Sequence, residues 1–421
     1  MTSTIHIIGA GLSGLAAAVR LSSTPAKIVV HEATNFPGGR CRSYYDQATD
    51  LTIDNGNHLL LSANHAALSY ARAIGTDKRL VGPEKAEFAF IDLKTKTRWT
   101  LRLNDGPIPW WVFDPTSRVP GTRVGDYLRV APLLWAGKRQ TVCQAIPCSG
   151  PLYERLIHPL LLAALNVDPR EGSAALAGAI VRETLAQGGQ ACRPLIAREG
   201  LGGALIEPAV DYLRARGVGV KMAHELRALR LADGTPSALD FGDEQISLAK
   251  NDAVILAVPP YAAVSLVPAL QTPKSFCAIV NAHFRVDPPA DFPPMIGVVN
   301  GMVEWIFAFP RRLSVTISGA DRLLDKPREV LAESIWREVA QVAGLGVAQP
   351  MPPWQIVRER RATFAATPEE DAKRPGAVTQ WPNLFLAGDW TATGLPATIE
   401  SAIRSGHRAA DLAAKRMQGS A

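Results

Sequence analysis

A β-branched run at 4–9, three glycines at and just beyond its end, and a second β-branched run closing on Glu32 predict an α/β protein that opens on a β-α-β unit. "TIHIIG" is apolar along nearly its whole length, as a strand buried on both faces must be. "SGLAAAVRLSS" is rich in Ala and Leu and reads as a helix, and "KIVVHE" is the next buried strand. In that setting G-x-G-x-x-G is a phosphate-binding turn. Gly9 permits the tight turn, Gly11 the close approach of a pyrophosphate, and Gly14 the packing of helix on strand. Ala10, Leu12 and Ser13 complete the helix N-terminus, whose free N–H groups and dipole attract phosphate. Glu32, with Ala33 beside it, is placed to accept the ribose hydroxyls of an adenosine and to repel a 2′-phosphate.

NAD and FAD share this unit. A second glycine turn, "PGGRCRS" at 37–43, separates them. A flavin dinucleotide extends beyond its second phosphate and needs a longer cradle. Gly38 and Gly39 allow another close backbone approach, and Arg40 can offset pyrophosphate charge. Arg42 reads equally well as a helper or as a solvated side chain. Next, "DLTIDNGNHLLL" runs from a short strand into Gly56, Asn57 and His58. Gly56 would let the backbone lie against a flat ring, and His58 is a candidate neighbour of the flavin and proton donor.

The far end of the chain repeats the pattern. "LFLAG" is a buried strand, and "PATIESAIRSGHRAADLAAKRM" is a helix with Pro396 near its first turn. Gly388 and Asp389 stand at the crossing, where the acid can bond ribityl hydroxyls. The helix N-terminus near Thr398 and Ile399 can face the flavin and favour negative charge on its reduced form. Glu400 is a second catalytic candidate, with a structural role as its alternative. Between the two ends, "GVGVKMAHELRAL" reads as strand, turn, strand. "RLADGTPSALDFGDEQISL" reads as a meander, and "DAVILAVPP" as a buried strand stopped by Pro259 and Pro260.

These pieces predict a Rossmann-type, glutathione-reductase-like FAD-binding domain assembled from 1–62, 198–260 and 378–421. An inserted α+β substrate domain of mixed sheet plus helices takes 63–197 and 261–377. A chain of 421 residues is long enough for two cores. With 45 Lys and Arg against 39 Asp and Glu, the net charge of +6 is mild and not gathered into runs, so a nucleic-acid partner is not expected. The five cysteines suggest neither a zinc site nor a disulfide framework, which fits a reducing compartment. No metal is expected. There is no signal-peptide pattern and no apolar run long enough to span a bilayer.

The chain resembles the FAD-dependent amine oxidase and phytoene desaturase superfamily and, within it, the hydroxysqualene dehydroxylases. The likeness rests on "DNGNHLLL" at 54–61, "HPLLLAALNVDP" at 158–169, "RERRATFAATPE" at 358–369 and "LFLAGDWTATGLPATIESAIRSG" at 384–406. Asn57 departs from it, standing where Gln is more usual. The resemblance implies a bacterial enzyme of squalene supply for hopanoids. It would remove the hydroxyl of hydroxysqualene by hydride transfer from reduced FAD to an allylic cation. It also implies that the segment around Leu226 covers the adenine.

Such chemistry needs a proton source, a water-poor pocket and electron-rich faces. "IPWWVF" and "MVEWIFAFP" supply aromatic rings, although core packing accounts for such clusters too. Asp54 and Glu304 are further open candidates for the acid. A substrate stored in the bilayer implies a cytoplasmic protein held peripherally at the inner face of the membrane, with Trp110 and Trp111 as the docking residues. The electron donor is not legible. The alternative reading is a carotenoid-type desaturase running hydride the other way. An amine oxidase and a non-catalytic prenyl carrier are weaker alternatives.

Overall fold

The computed structural model describes residues 3–232, 235–346 and 349–419. Two sheets organise it. The smaller has five parallel strands in the spatial order Gly219–Lys221, Lys27–His31, Thr4–Ile8, Ala253–Leu256, Leu384–Leu386. Ile7 pairs with Val30 on one side and Ile255 on the other, and all three are fully buried. That is the environment a continuous Val/Ile run requires. The helix Leu12–Leu21 packs against the C-terminal helix Ile399–Gly419. Gly406 makes this approach possible, since a Cβ there would stand 2.1 Å from the Ser13 carbonyl oxygen. The meander forms from Ala228–Ala232, Thr235–Asp240 and Gln245–Ser247. Its first turn, at 233–234, lies outside the described residues.

The larger sheet has seven strands, ordered Trp354–Phe364, Phe276–Phe284, Arg312–Ile317, Trp305–Phe309, Met295–Val299, Glu87–Asp92, Arg98–Arg102. All neighbours are antiparallel except Met295–Val299 with Glu87–Asp92. Strand periodicity divides its side chains. Val280, Ala282, Phe284, Leu313, Val315 and Ile317 face the helix Arg328–Ala343. Asn281, His283, Ser314, Thr316, Trp305 and Phe307 alternate with them and face the other way.

Over that second face lie the helices of residues 124–183. A π-helical turn, Tyr153–Ile157, runs into the helix His158–Leu165. Asn166 ends that helix in the left-handed conformation (φ 54°) and is buried. Its amide donates to the Cys277 carbonyl oxygen and to Thr363 Oγ1, and its oxygen accepts from the Gly319 N–H. One residue therefore ties the helices to two strands of the large sheet and to the turn that follows a third.

Three features depart from the sequence reading. Cys143 and Cys148 form a disulfide. The helical turn Val142–Ala145 and the residues after it bring their Cα atoms to 5.4 Å, a proximity that the spacing alone did not announce. The helix His65–Ala73, allotted by sequence to the second domain, buries Ala67, Tyr70 and Ala71 in the core of the small sheet. Lastly, Trp110 is exposed but Trp111 packs edge-on to Tyr127 at 5.1 Å. Ile108, Phe113, Leu128 and Trp135 are the exposed large apolar side chains of the same stretch. Among the described residues no helix is long and apolar enough to cross a membrane.

Candidate active site

The two glycine turns meet. The Gly38 N–H donates to the Ala10 carbonyl oxygen at 2.8 Å, and Gly11 and Gly38 form a parallel bridge. A Cβ on Gly11 would meet nothing within 4 Å, so this side of the turn is open. A Cβ on Gly14 would lie 2.0 Å from the Gly9 carbonyl oxygen, so only glycine closes the turn. Glu32 accepts from the Ala10 N–H at 2.8 Å and from the N–H and hydroxyl of Thr34. The carboxylate thus lies against the turn, at the end of its strand. Ala33 and Gly39 are exposed, and so is Arg42.

Behind Glu32 runs a chain of histidines. His6 Nδ1 is 3.1 Å from His31 Nε2, His31 Nδ1 is 2.9 Å from His224 Nδ1, and His224 Nε2 is 3.0 Å from Glu244. Burial pushes His6 down to about 4 and His31 down to about 3, so both are neutral near pH 7. The His224 N–H donates to the Glu32 carbonyl oxygen. Leu226, two residues on, is buried.

Arg40 joins the ends of the chain. Its guanidinium pairs with Asp389 at 2.7 Å and also donates to the Ala362 carbonyl oxygen. Burial works against the charge, but the Asp389 carboxylate outweighs it and raises the Arg40 pKa. Gly388 precedes Asp389 at φ 147°, and its N–H is held by Ser405. Arg374 was not singled out by sequence. It is fully buried and donates to the carbonyl oxygens of Asp389, Trp390 and Thr391, fixing this loop. Thr398 caps the C-terminal helix by accepting from the Ser401 N–H, and Ile399 is its first residue.

The loop 55–58 docks on the large sheet. Asn57 donates to the Val315 carbonyl oxygen and to Thr316 Oγ1, and Asn281 donates to the Asn55 carbonyl oxygen. Asn57 Oδ1 is buried without a partner. A Cβ on Gly56 would stand 3.2 Å from Asn281 Nδ2 and 3.6 Å from His58 Cε1. His58 donates Nδ1–H to the Gly56 carbonyl oxygen at 2.9 Å, and burial lowers its pKa. Asn281 and Thr316 escaped the sequence reading. Their one signal is a polar residue at alternate positions of otherwise apolar strands.

The other acid candidates are engaged elsewhere. Both oxygens of Glu400 accept N–H groups of Ala66 and Ala67 at the start of the helix His65–Ala73, and Arg404 completes the pair. Its structural alternative is the one that the geometry supplies. Asp54 accepts from the Leu201 N–H and the Ser43 hydroxyl. The Glu304 carboxylate accepts from the Ser318 N–H at 2.8 Å, and its backbone carbonyl accepts from the Val298 N–H. Burial pushes its carboxyl up to about 7.

The open face of Gly11, the carboxylate at the strand end and the Arg40–Asp389 pair bring backbone N–H groups and charges of both signs together at the ends of the parallel strands. The chain belongs to the family of flavin-containing amine oxidoreductases, whose pattern matches residues 12–414, and it is a flavin-dependent oxidoreductase. It is 62% identical over 413 residues to the hydroxysqualene dehydroxylase of Rhodopseudomonas palustris, covering 98% of each chain. It is 47% identical over 411 residues to that of Zymomonas mobilis, covering 98% of this chain and 99% of the relative. Among solved structures, cyclohexylamine oxidase from Brevibacterium oxydans superposes with a TM-score of 0.70 at 16% identity, covering 99% of this chain and all of that one. A putative protoporphyrinogen oxidase from Exiguobacterium gives 0.69 at 17%, covering 98% of both. At that identity the structural likeness speaks for the fold alone.

Proposed function

We propose that this chain is an FAD-dependent hydroxysqualene dehydroxylase, converting hydroxysqualene to squalene. The supporting observation is 47–62% identity over nearly the whole chain to relatives of that name, together with the stretches 158–169 and 358–369 on which the resemblance rests. Those stretches meet in space. Asn166 of 158–169 bonds Thr363 of 358–369, and Ala362 beside it receives Arg40. Gly9, Gly11, Gly14, Glu32, Gly38 and Gly39 would hold the adenosine and pyrophosphate, with Leu226 over the adenine. Arg40 would offset the pyrophosphate charge, Asp389 would bond the ribityl chain, and the turn at Thr398 and Ile399 would face the ring.

When bound and reduced, the cofactor supplies a hydride and its two electrons. The chain's own residues prepare the substrate. The C–O bond breaks with its electron pair going to oxygen, and oxygen takes a proton and leaves as water. We assign that proton delivery to His58 in its imidazolium form: the Gly56 carbonyl holds Nδ1–H and favours that form against burial, and Nε2–H is the proton given up. The aromatic side chains of the large sheet keep water away from the cation.

The direction of reaction is tested by offering hydroxysqualene and phytoene side by side to reduced and to oxidised enzyme. Squalene from reduced enzyme is the expected product. New double bonds from oxidised enzyme alone would establish the desaturase reading instead.

We also propose peripheral binding at the inner membrane face through residues 108–135. Trp110, Leu128 and Trp135 would enter the interface beside the exposed Arg123 and Arg129. Replacing Trp110 and Trp135 by serine should lower liposome binding. Unchanged binding would make these rings ordinary surface.

A further inference from the structure

The large sheet carries one row of side chains in continuous register across all seven strands. Val357 pairs with Asn281, Asn281 with Thr316, Thr316 with Trp305, Trp305 with Gly297, Gly297 with Phe90, and Phe90 with Trp99. Residues directly opposite one another share a face. This is the face that receives the loop 55–58 and is covered by the helices of 124–183. The row changes character along its length. Asn281 and Thr316 are polar and bonded to Asn55 and Asn57, whereas Trp305, Phe90 and Trp99 are aromatic and buried.

Gly297 is what lets the aromatic part lie flat. A Cβ there would stand 2.5 Å from two atoms of the Phe90 ring and 3.2 Å from Cη2 of Trp305. Phe90 stacks on Trp99 at 5.3 Å and meets Trp305 edge-on at 5.5 Å. Strand spacing puts Trp305 about 5 Å from the Thr316 strand, and Trp99 lies three strands further along the row with the Phe90 ring between the two indoles. Trp305 is therefore the first aromatic ring beyond the polar residues that hold the loop of Gly56 and His58.

Trp305 carries an anomaly. Its Nε1–H is buried and has no hydrogen-bond partner. A buried indole N–H normally finds an acceptor, and one without an acceptor is available to a ligand oxygen. The squalene skeleton has no acceptor, while hydroxysqualene has one, the hydroxyl that is removed.

Resting on the function proposed above, we propose that Trp305 is a catalytic residue that touches the substrate, its Nε1–H donating to the hydroxyl oxygen. The bond selects the alcohol over the hydrocarbon and sets the carbon that bears it beside the loop of Gly56 and His58. As the C–O bond breaks, the donor stays on the departing oxygen. It transfers no proton of its own, so the water formed takes its second hydrogen from the proton source and not from the indole. Trp99, whose Nε1–H is also buried and unpaired, stands behind the Phe90 ring, away from the polar end of the row.

The test uses oxidised, flavin-loaded enzyme, which does not turn the alcohol over. Hydroxysqualene and squalene are titrated in the same detergent and followed by the perturbation of flavin absorbance. In the unmodified enzyme the alcohol should bind more tightly than the hydrocarbon. Trp305→Phe keeps the ring and removes only the N–H. It should weaken hydroxysqualene about fivefold to tenfold and leave squalene unchanged, since a single neutral hydrogen bond is at stake. Trp99→Phe, which makes the same change along the row, should leave the ratio as it was and serves as the folding control. An equal ratio in unmodified enzyme and Trp305→Phe would overturn the assignment, as would an equal loss for both ligands. These outcomes are read from binding and do not depend on turnover. Failure of reduced enzyme to make squalene would count against the proposed function and not against this contact.

Discussion

In the reading proposed above, the small sheet and the large sheet face opposite recognition problems. In the small one all five strands are parallel, and binding groups collect where the strands end: open glycine backbone, one carboxylate, and one arginine paired with an aspartate. Such a site suits a rigid, charged nucleotide, for which backbone N–H groups and a few charges suffice. In the large sheet the information lies across the strands, in a row of side chains whose polarity changes from one end to the other. That suits a long apolar molecule with a single polar atom. A site made of backbone is lost when one charge is lost, while a site made of many rings should weaken by degrees.

The largest effect should come from the Arg40–Asp389 pair. Asp389→Ala leaves the arginine without its carboxylate. Discounted for the partial exposure of Arg40, the cost is about 2–3 kcal/mol, or about 30- to 150-fold in FAD affinity. Flavin content after gel filtration measures it, and full occupancy in dilute protein would break the contrast between the sheets. Glu32→Ala should follow, with a loss of about 10- to 100-fold. When FAD is restored to saturation, squalene binding in this variant should match the unmodified enzyme.

A smaller effect concerns pH. His6 and His31 have folded values of about 4 and about 3, below the ordinary 6.5. The unfolded chain therefore takes up protons first. The stability they contribute is whole above pH 6.5 and declines as pH falls toward the folded values, by about 1.4 kcal/mol per unit for each histidine carrying the full difference. Asp252 and Glu244 oppose the depression of His6, and Lys221 adds to it in both histidines. Thermal melts between pH 7.5 and 5 should show a midpoint that is level and then falling, with a gentler fall in His6→Asn. A midpoint independent of pH over that range would remove the histidine chain from the stability of the small sheet.

The two sheets also differ in how far the sequence discloses them. The phosphate turn was legible because Gly9, Gly11, Gly14 and Glu32 lie within one β-α-β unit, where local pattern and tertiary role coincide. The place of Asp389 at a strand-to-helix crossing was legible for the same reason, while its ion pair with Arg40 was not. The row was not. Gly297 pairs with Phe90 across more than two hundred residues, and nothing local to either announces the register. Glu400 shows the same limit for a single side chain. Its place in the first turn of the last helix was readable, but its partners, Ala66 and Ala67, lie in a distant helix. Arg374 and Asn281 carried no motif, because a buried polar residue declares itself only through the backbone groups that it satisfies.

The central claim is that this chain reduces its substrate. Enzyme carrying reduced flavin, kept free of oxygen and mixed with hydroxysqualene in a single turnover, tests that most directly, with flavin absorbance and squalene followed together. The account predicts that the flavin is oxidised only when the alcohol is present, with about one squalene formed for each flavin oxidised. Flavin that stays reduced, with hydroxysqualene recovered intact, would contradict it.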